Sequence, residues 1–211
     1  MIGKTYYKSV FINCPYDPKY EPLLNTMLFT LLSLGFYPRL SLDNSDAGIS
    51  RIDKIIDLIS KCKICIHDLS RVKAMKKKEF ARMNMPFELG LDFGCLKYSG
   101  DEKHHKKMFL ILGDKEYEYI KAISDIKGID IEYHNNNQYY MINSVRHWFV
   151  NNNLYKGTAS PREIWYKYTD YWAEYVIYTR NKGYSNSEMY KIPIKEQIDM
   201  MEKFINDNPY D

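Results

Sequence analysis

The chain has 211 residues, 45% of them hydrophobic and 27% charged, the balance of a globular protein able to bury a core. Its net charge of +3 is too small to predict binding to nucleic acid or an anionic membrane by itself, and no apolar run reaches the ~18 residues of a membrane-spanning helix. The length fits one domain, or one domain with an appended helical piece.

MIGKTYYKS at the start lacks the apolar centre of a secretory signal, which predicts a cytoplasmic protein. The cysteines at 14, 62, 65 and 95 are then expected to be free thiols. SVFINCP (9–15) reads as an apolar strand stopped by Pro15. Residues 20–34 read as a helix, with Leu23, Leu24, Met27, Leu28, Leu31 and Leu32 at three- and four-residue steps and Gly35 closing it. FYPRLSL (36–42) is a second strand and DNSDAGIS (43–50) a turn-forming loop. ISRIDKIIDLISKCK (49–63) is an amphipathic helix, with Ile52, Ile55, Ile56 and Ile59 on the face expected to lie on a sheet. KICIHDL (63–69) is a nearly unbroken apolar run, as suits a parallel strand covered on both sides.

A basic connection, SRVKAMKKKEFARMN (70–84), leads to a helix opened by Pro86, FELGLDFGCLKYSG (87–100). KKMFLIL (106–112) is a fourth strand, KEYEYIKAISDIKG (115–128) a helix, IDIEYH (129–134) a fifth strand and QYYMINSVRHWFVNNN (138–153) a helix. This alternation predicts an α/β fold: a five-stranded parallel sheet with helices on both faces and right-handed crossovers. The pattern changes near residue 155. SPRE (160–163) signals a helix start, and the run to 182 carries Trp165, Tyr168, Trp172, Tyr175 and Val176 along one side before Gly183 stops it. IPIKEQIDMMEKFI (192–205) is a last helix. The predicted division is 1–155 for the α/β domain and 156–211 for a C-terminal helical extension, packed on the first domain or on a second copy.

In an open parallel sheet, ligands bind beyond the carboxyl ends of the strands, where strand order reverses. That edge collects Asn13, Asp17, Tyr20, Asp43, Asp46, Arg51, His67, Asp68, Ser70, Arg71 and Glu88. Glu88 is the leading catalytic candidate. It is expected in the first turn of its helix, where the macrodipole favours a carboxylate, and Met85, Pro86, Phe87, Leu89 and Leu91 limit its hydration. Such an acid suits the positive charge that develops at a sugar carbon when an N-glycosidic bond breaks. The alternative is that Glu88 caps its own helix and faces water.

FINCPYD after the first strand, IHDLSR after the third and PFELGLDFG opening the next helix resemble the nucleoside 2-deoxyribosyltransferases and the bacterial TIR-like nucleotide-binding proteins, over residues 8 to about 112. The resemblance implies a Rossmann-like (flavodoxin- or TIR-like) fold. It implies Glu88 as nucleophile, Asp68 as the strand-end aspartate that reads a base, and Asn13, Cys14, Pro15 and Tyr16 as a ligand-facing turn. Asn84, which heads the NMPFELGLDFG stretch, joins the ligand-facing set. Phe11 stands at or near the place where the transferases carry a tyrosine that supports the nucleophile, and it has no hydroxyl. RMNMPF replaces the transferases' D-x-G-T lead, with Arg82 where an acid would stand, and the W-x-x-E of TIR enzymes is missing. Hydrolysis of NAD or a related nucleotide therefore fits better than transfer between bases, since Arg39, Arg51, Arg71 and Arg82 could meet phosphates.

The resemblance thus predicts an N-glycosidase of a bacterial stress or antiviral response. The competing readings are a sensor of the same fold that binds a nucleotide signal, and a scaffold self-associating through the aromatic side of residues 162–180. No cofactor and no metal is expected, with NAD or a nucleotide as substrate or ligand. A homo-oligomer is expected, without membrane or nucleic-acid partners. Cys62-x-x-Cys65 has zinc-like spacing but no second pair, which makes it structural. His104 and His105 lie in a charged turn and are expected to face solvent. His67 and Asp68, as neighbours in a strand, must point to opposite faces, and Asp68 is the one expected at the site. KAMKKK (73–78) reads as a loop.

Overall fold

A computed structural model describes residues 5–43, 46–72, 74, 81–116 and 119–210. Five strands form one sheet: β1 Ser9–Asn13, β2 Tyr37–Arg39, β3 Ile64–Asp68, β4 Met108–Gly113 and β5 Glu132–Tyr133. Every pairing is parallel and the order is β2-β1-β3-β4-β5. Among the described residues, six α-helices surround it: α1 Glu21–Ser33, α2 Arg51–Lys61, α3 Asn84–Tyr98, α4 Gln138–Asn151, α5 Pro161–Asn181 and α6 Ile194–Asp207. The arrangement is Rossmann-like, and strand order reverses between β1 and β3, where Asn13 stands beside His67.

The strands are buried on both faces, which is why their sequences are apolar runs without alternation. Val10, Ile12, Ile64, Ile66, Leu110 and Leu112 share one core with α1 and α4, while Phe11 and Cys65 pack with Ile55, Leu58 and Ile59 of α2. A third cluster joins Leu69, Ile111 and Tyr119 to Met85 and Leu89 of α3.

α1 starts where Asp17 Oδ1 accepts the backbone N–H groups of Lys19 and Tyr20, with Pro22 in its first turn. It ends at Gly35, whose φ of 78° is a conformation glycine adopts without strain. Ten consecutive residues, Leu23 to Leu32, are buried. A helix buried all round lies inside a fold, and α1 is enclosed by the sheet, α4, α5 and α6. The expected capping box opens α5: Glu163 N donates to Ser160 Oγ at 3.2 Å and Ser160 N to Glu163 Oε2 at 2.6 Å.

Four expectations change. The segment between β4 and β5 is not an α-helix; its described part holds two 3-10 turns, Tyr119–Lys121 and Ser124–Ile126. Ile123, Ile126 and Ile129 pack on the α3 cluster at steps of three residues, the repeat of a 3-10 turn. On α2 the buried side is Ile55, Leu58 and Ile59, leaving Ile52 and Ile56 exposed at 37% and 48%. The aromatic side of α5 is mostly covered by the chain itself: Tyr168 and Tyr171 each stand 5.5 Å from the Phe29 ring, and Tyr171 stands 5.6 Å from Phe204. His104 is buried, 2.8 Å from Ser99 Oγ and 3.0 Å from the Ser60 carbonyl, whereas His105 is exposed. The KAMKKK loop, except residue 74, lies outside the described residues, as do residues 44 and 45 and the Asp43 side chain. Among the described residues, no helix is long and apolar enough to cross a membrane.

Candidate functional site

α3 carries the candidate acid to the carboxyl edge of the sheet. Pro86 is its third residue, where the missing N–H costs no helical hydrogen bond. Glu88 is the fifth residue, in the second turn and not the first as the sequence predicts, so the helix terminus contributes less to its environment. Its side chain is 8% exposed. Arg51, the first residue of α2, places its Nη2 3.9 Å from Glu88 Oε1, and its side chain is 57% exposed. Burial pushes the Glu88 carboxyl from its ordinary 4.5 up to about 7, and Arg51 pulls only weakly the other way. A carboxyl so placed is half ionised near neutrality.

Cys14 and Tyr16 both lie within reach of the Glu88 charge. Burial drives the Cys14 thiol and the Tyr16 hydroxyl well above their usual values, so both stay protonated. The Ser41 side chain lies beside the Tyr16 hydroxyl. Beside them, Asp68 is fully buried. Its Oδ2 accepts the Tyr20 hydroxyl at 2.5 Å, and its Oδ1 accepts Ser70 N at 2.8 Å. His134 Nε2 stands 3.0 Å from Oδ2 without forming a well-aligned hydrogen bond. Burial raises the Asp68 carboxyl, but His134, Ser70 and Tyr20 outweigh it and hold it below the ordinary value. Asp68 is thus a carboxylate held by the protein, with no solvent-facing oxygen for a base.

On the opposite face of β3, His67 is equally buried. Asn13 Nδ2 donates to the Met85 carbonyl at 2.9 Å and meets His67 Nδ1 at 3.0 Å, so Nδ1 is the acceptor and Nε2 carries the proton. Nε2 then donates to Asp92 Oδ2 at 3.1 Å. Asp92 Oδ1 pairs with Lys107 Nζ at 3.1 Å, and that ammonium donates to the carbonyls of Ile59 and Cys62 at 2.7 and 2.6 Å. A buried chain of polar groups therefore ties the end of α2 and the start of β4 to the first turn of α3. Burial opposes the Lys107 charge, yet the Cys65 sulfur, as hydrogen-bond acceptor, and the Asp92 carboxylate hold its pKa above the ordinary value. Cys65, His67 and Asp92 bring three ligand atoms within 4.8 Å of one another, a set with the chemistry to hold a metal ion. Lys107 Nζ, 3.4 Å from Cys65 Sγ, already places a positive charge there, and burial keeps the Cys65 thiol protonated.

The predicted residues divide into groups. Glu88, Arg51, Cys14 and Tyr16 come together at the edge. Asp17, Arg71 and Arg82 form a second set, with Asp17 Oδ2 3.5 Å from Arg71 Nε and 3.8 Å from Arg82 Nη1. Phe11 faces the α2 core, Asn13 is committed to His67 and Met85, and Pro15 is buried. Arg39 is half-buried at the end of β2, the outer strand; Asp46 lies in an exposed turn and accepts Gly48 N at 2.9 Å; Asn84 is exposed at the start of α3. Ser70 is buried beside Asp68. His134, Asp92 and Lys107 join these networks without standing among the residues the sequence singles out. His134 sits at the end of β5 and follows from the same strand-end rule; Asp92 lies four residues after Glu88, one turn along α3. No protein-family model matches the chain and no curated protein matches it, so the likeness of FINCPYD, IHDLSR and PFELGLDFG rests on those residues alone.

Proposed function

We propose that the chain cleaves the N-glycosidic bond of NAD or a related nucleotide or nucleoside, with Glu88 as nucleophile or as stabiliser of the oxocarbenium-like state. The observation that carries this reading is a carboxyl 8% exposed, held near pKa 7 by burial, with one long ion pair to Arg51, at the sheet edge beside the strand reversal. In its ionised form such a group gains energy as positive charge develops at the sugar carbon, because little water competes for it. Consumption of a nucleotide pool is what a bacterial stress or antiviral effector would do.

The test is a panel of NAD, nucleotides and nucleosides followed by mass spectrometry. Wild type should release nicotinamide or free base, and Glu88→Gln should release none. Activity of the ionised form should fall about tenfold per pH unit below about pH 7. Undiminished turnover by Glu88→Gln refutes the assignment. The second reading is a nucleotide-binding module that acts through partners or self-association. It is favoured by Asp68 and Asn13, whose polar atoms are engaged by the protein, and by Phe11, which brings no hydroxyl to the edge. Calorimetric binding without product over hours would select it.

A further inference from the structure

Arg71 is a cation held largely out of water. Its side chain is only 13% exposed, yet among the described residues the only carboxylate within 4.0 Å is Asp17, at 3.5 Å from Nε. Asp17 is already heavily engaged. Its Oδ1 accepts two backbone N–H groups, and its Oδ2 is shared with Arg82 at 3.8 Å. Among the described residues, two guanidiniums therefore share one carboxylate through long contacts. A guanidinium so far out of water is stable only when its fork meets strong acceptors, and one distant oxygen at Nε does not satisfy it.

The neighbouring residue adds an independent sign. Ser70 is 7% exposed, and its Oγ has no hydrogen-bond partner among the described residues. Ser70 and Arg71 follow β3 directly, while Asp17 lies four residues beyond the end of β1. Both loops meet at the strand reversal, and Cys14 lies within reach of the charges of Asp17, Asp68 and Glu88 together. Two guanidiniums converge on one oxygen from different segments of the chain, and the Ser70 hydroxyl precedes Arg71 directly. A carboxylate presents two coplanar oxygens, whereas a phosphoryl group spreads its oxygens in three directions and needs no donor of its own.

The geometry points to a phosphoryl subsite formed by Ser70, Arg71 and Arg82, with Asp17 as the internal anion that the ligand's phosphate displaces. The inference deepens the glycosidic reading: the substrate is a phosphorylated nucleoside and not a bare one. Arg51, tied to Glu88, belongs to the sugar end of the ligand and Arg71 to its phosphate end.

The test is calorimetry on the full chain with inorganic phosphate, and with adenosine and inosine each beside its 5′-monophosphate. At least one monophosphate should bind about tenfold or more tighter than its nucleoside, the effect of one charge-assisted contact. Inorganic phosphate should bind more weakly and compete with it. Arg82→Gln, at a side chain 52% exposed, and Arg71→Lys, which keeps the charge but loses the fork, should each bring the monophosphate towards the affinity of its nucleoside. Equal affinity within both pairs, no binding of either monophosphate, or unchanged affinity in both variants overturns the subsite. So does phosphate that binds without competing, which would mark a site for the free ion. None of these arms needs catalysis. Turnover retained by Glu88→Gln, beside phosphate-dependent binding, would therefore remove the glycosidic reading and leave the subsite standing.

Discussion

Replacing Glu88 by glutamine should stabilise the protein, by an amount that grows as the pH rises from 4.5 to about 7 and is complete above it. The folded-state carboxyl titrates at about 7, against an ordinary 4.5. Because the folded value lies above the unfolded one, folding favours the neutral acid. The stability associated with this group is whole below pH 4.5 and is lost as the pH rises through 7. A displacement of this size corresponds to about 3 kcal/mol at full ionisation, and residual hydration of the carboxyl reduces that to about 2–3 kcal/mol. Glutamine keeps the shape and cannot ionise. Thermal unfolding of both proteins, from about pH 4 to about pH 8.5 at constant ionic strength, should show curves that coincide at the acid end, diverge as the pH rises from 4.5 to about 7, and keep a constant separation above that, with the variant higher by on the order of 5–10 °C. A difference that does not change with pH would refute the reasoning, since it would mean that Glu88 titrates as an exposed acid.

Two further perturbations address the scaffold. Lys107→Met leaves the Asp92 carboxylate buried without its cation and should lower stability by about 3–5 kcal/mol, read as a shift of the urea midpoint; a loss below about 1 kcal/mol would mean that the pair is not buried as described. Phe29→Ala removes the ring that meets Tyr168, Tyr171 and Phe204, and should cost about 3–5 kcal/mol by the same measurement, whereas a near-neutral result would place α5 and α6 away from α1.

Where periodicity and local chemistry decide, the sequence is a good guide. The unbroken apolar strands, the three- and four-residue steps of α1, the stop at Gly35 and the SPRE capping box all specify structure within a few residues of themselves. The candidate site is legible to the same depth: an acid inside an apolar helical stretch reads as desolvated, and Glu88 is. What escapes is decided by partners distant in the chain. DEKHHKK reads as a solvated turn, but Lys107 Nζ finds two carbonyls near the end of α2, and His104 finds a third. Asp68 reads as an open strand-end acid, yet Tyr20 lies 48 residues earlier and closes on it. The isoleucines between β4 and β5 recur at an interval that a helix and a pair of 3-10 turns can both use, and only packing on α3 separates them.

The enclosure of α1 has a consequence for how the molecule can be divided. A cut at residue 155 would keep all five strands and yet strip the outer wall from a helix that has no water-facing side. The Phe29 flank would then meet solvent, and each large apolar side chain so uncovered forfeits on the order of 2 kcal/mol. The two terminal helices are therefore less an attachment to the Rossmann-like fold than the outer wall of its interior.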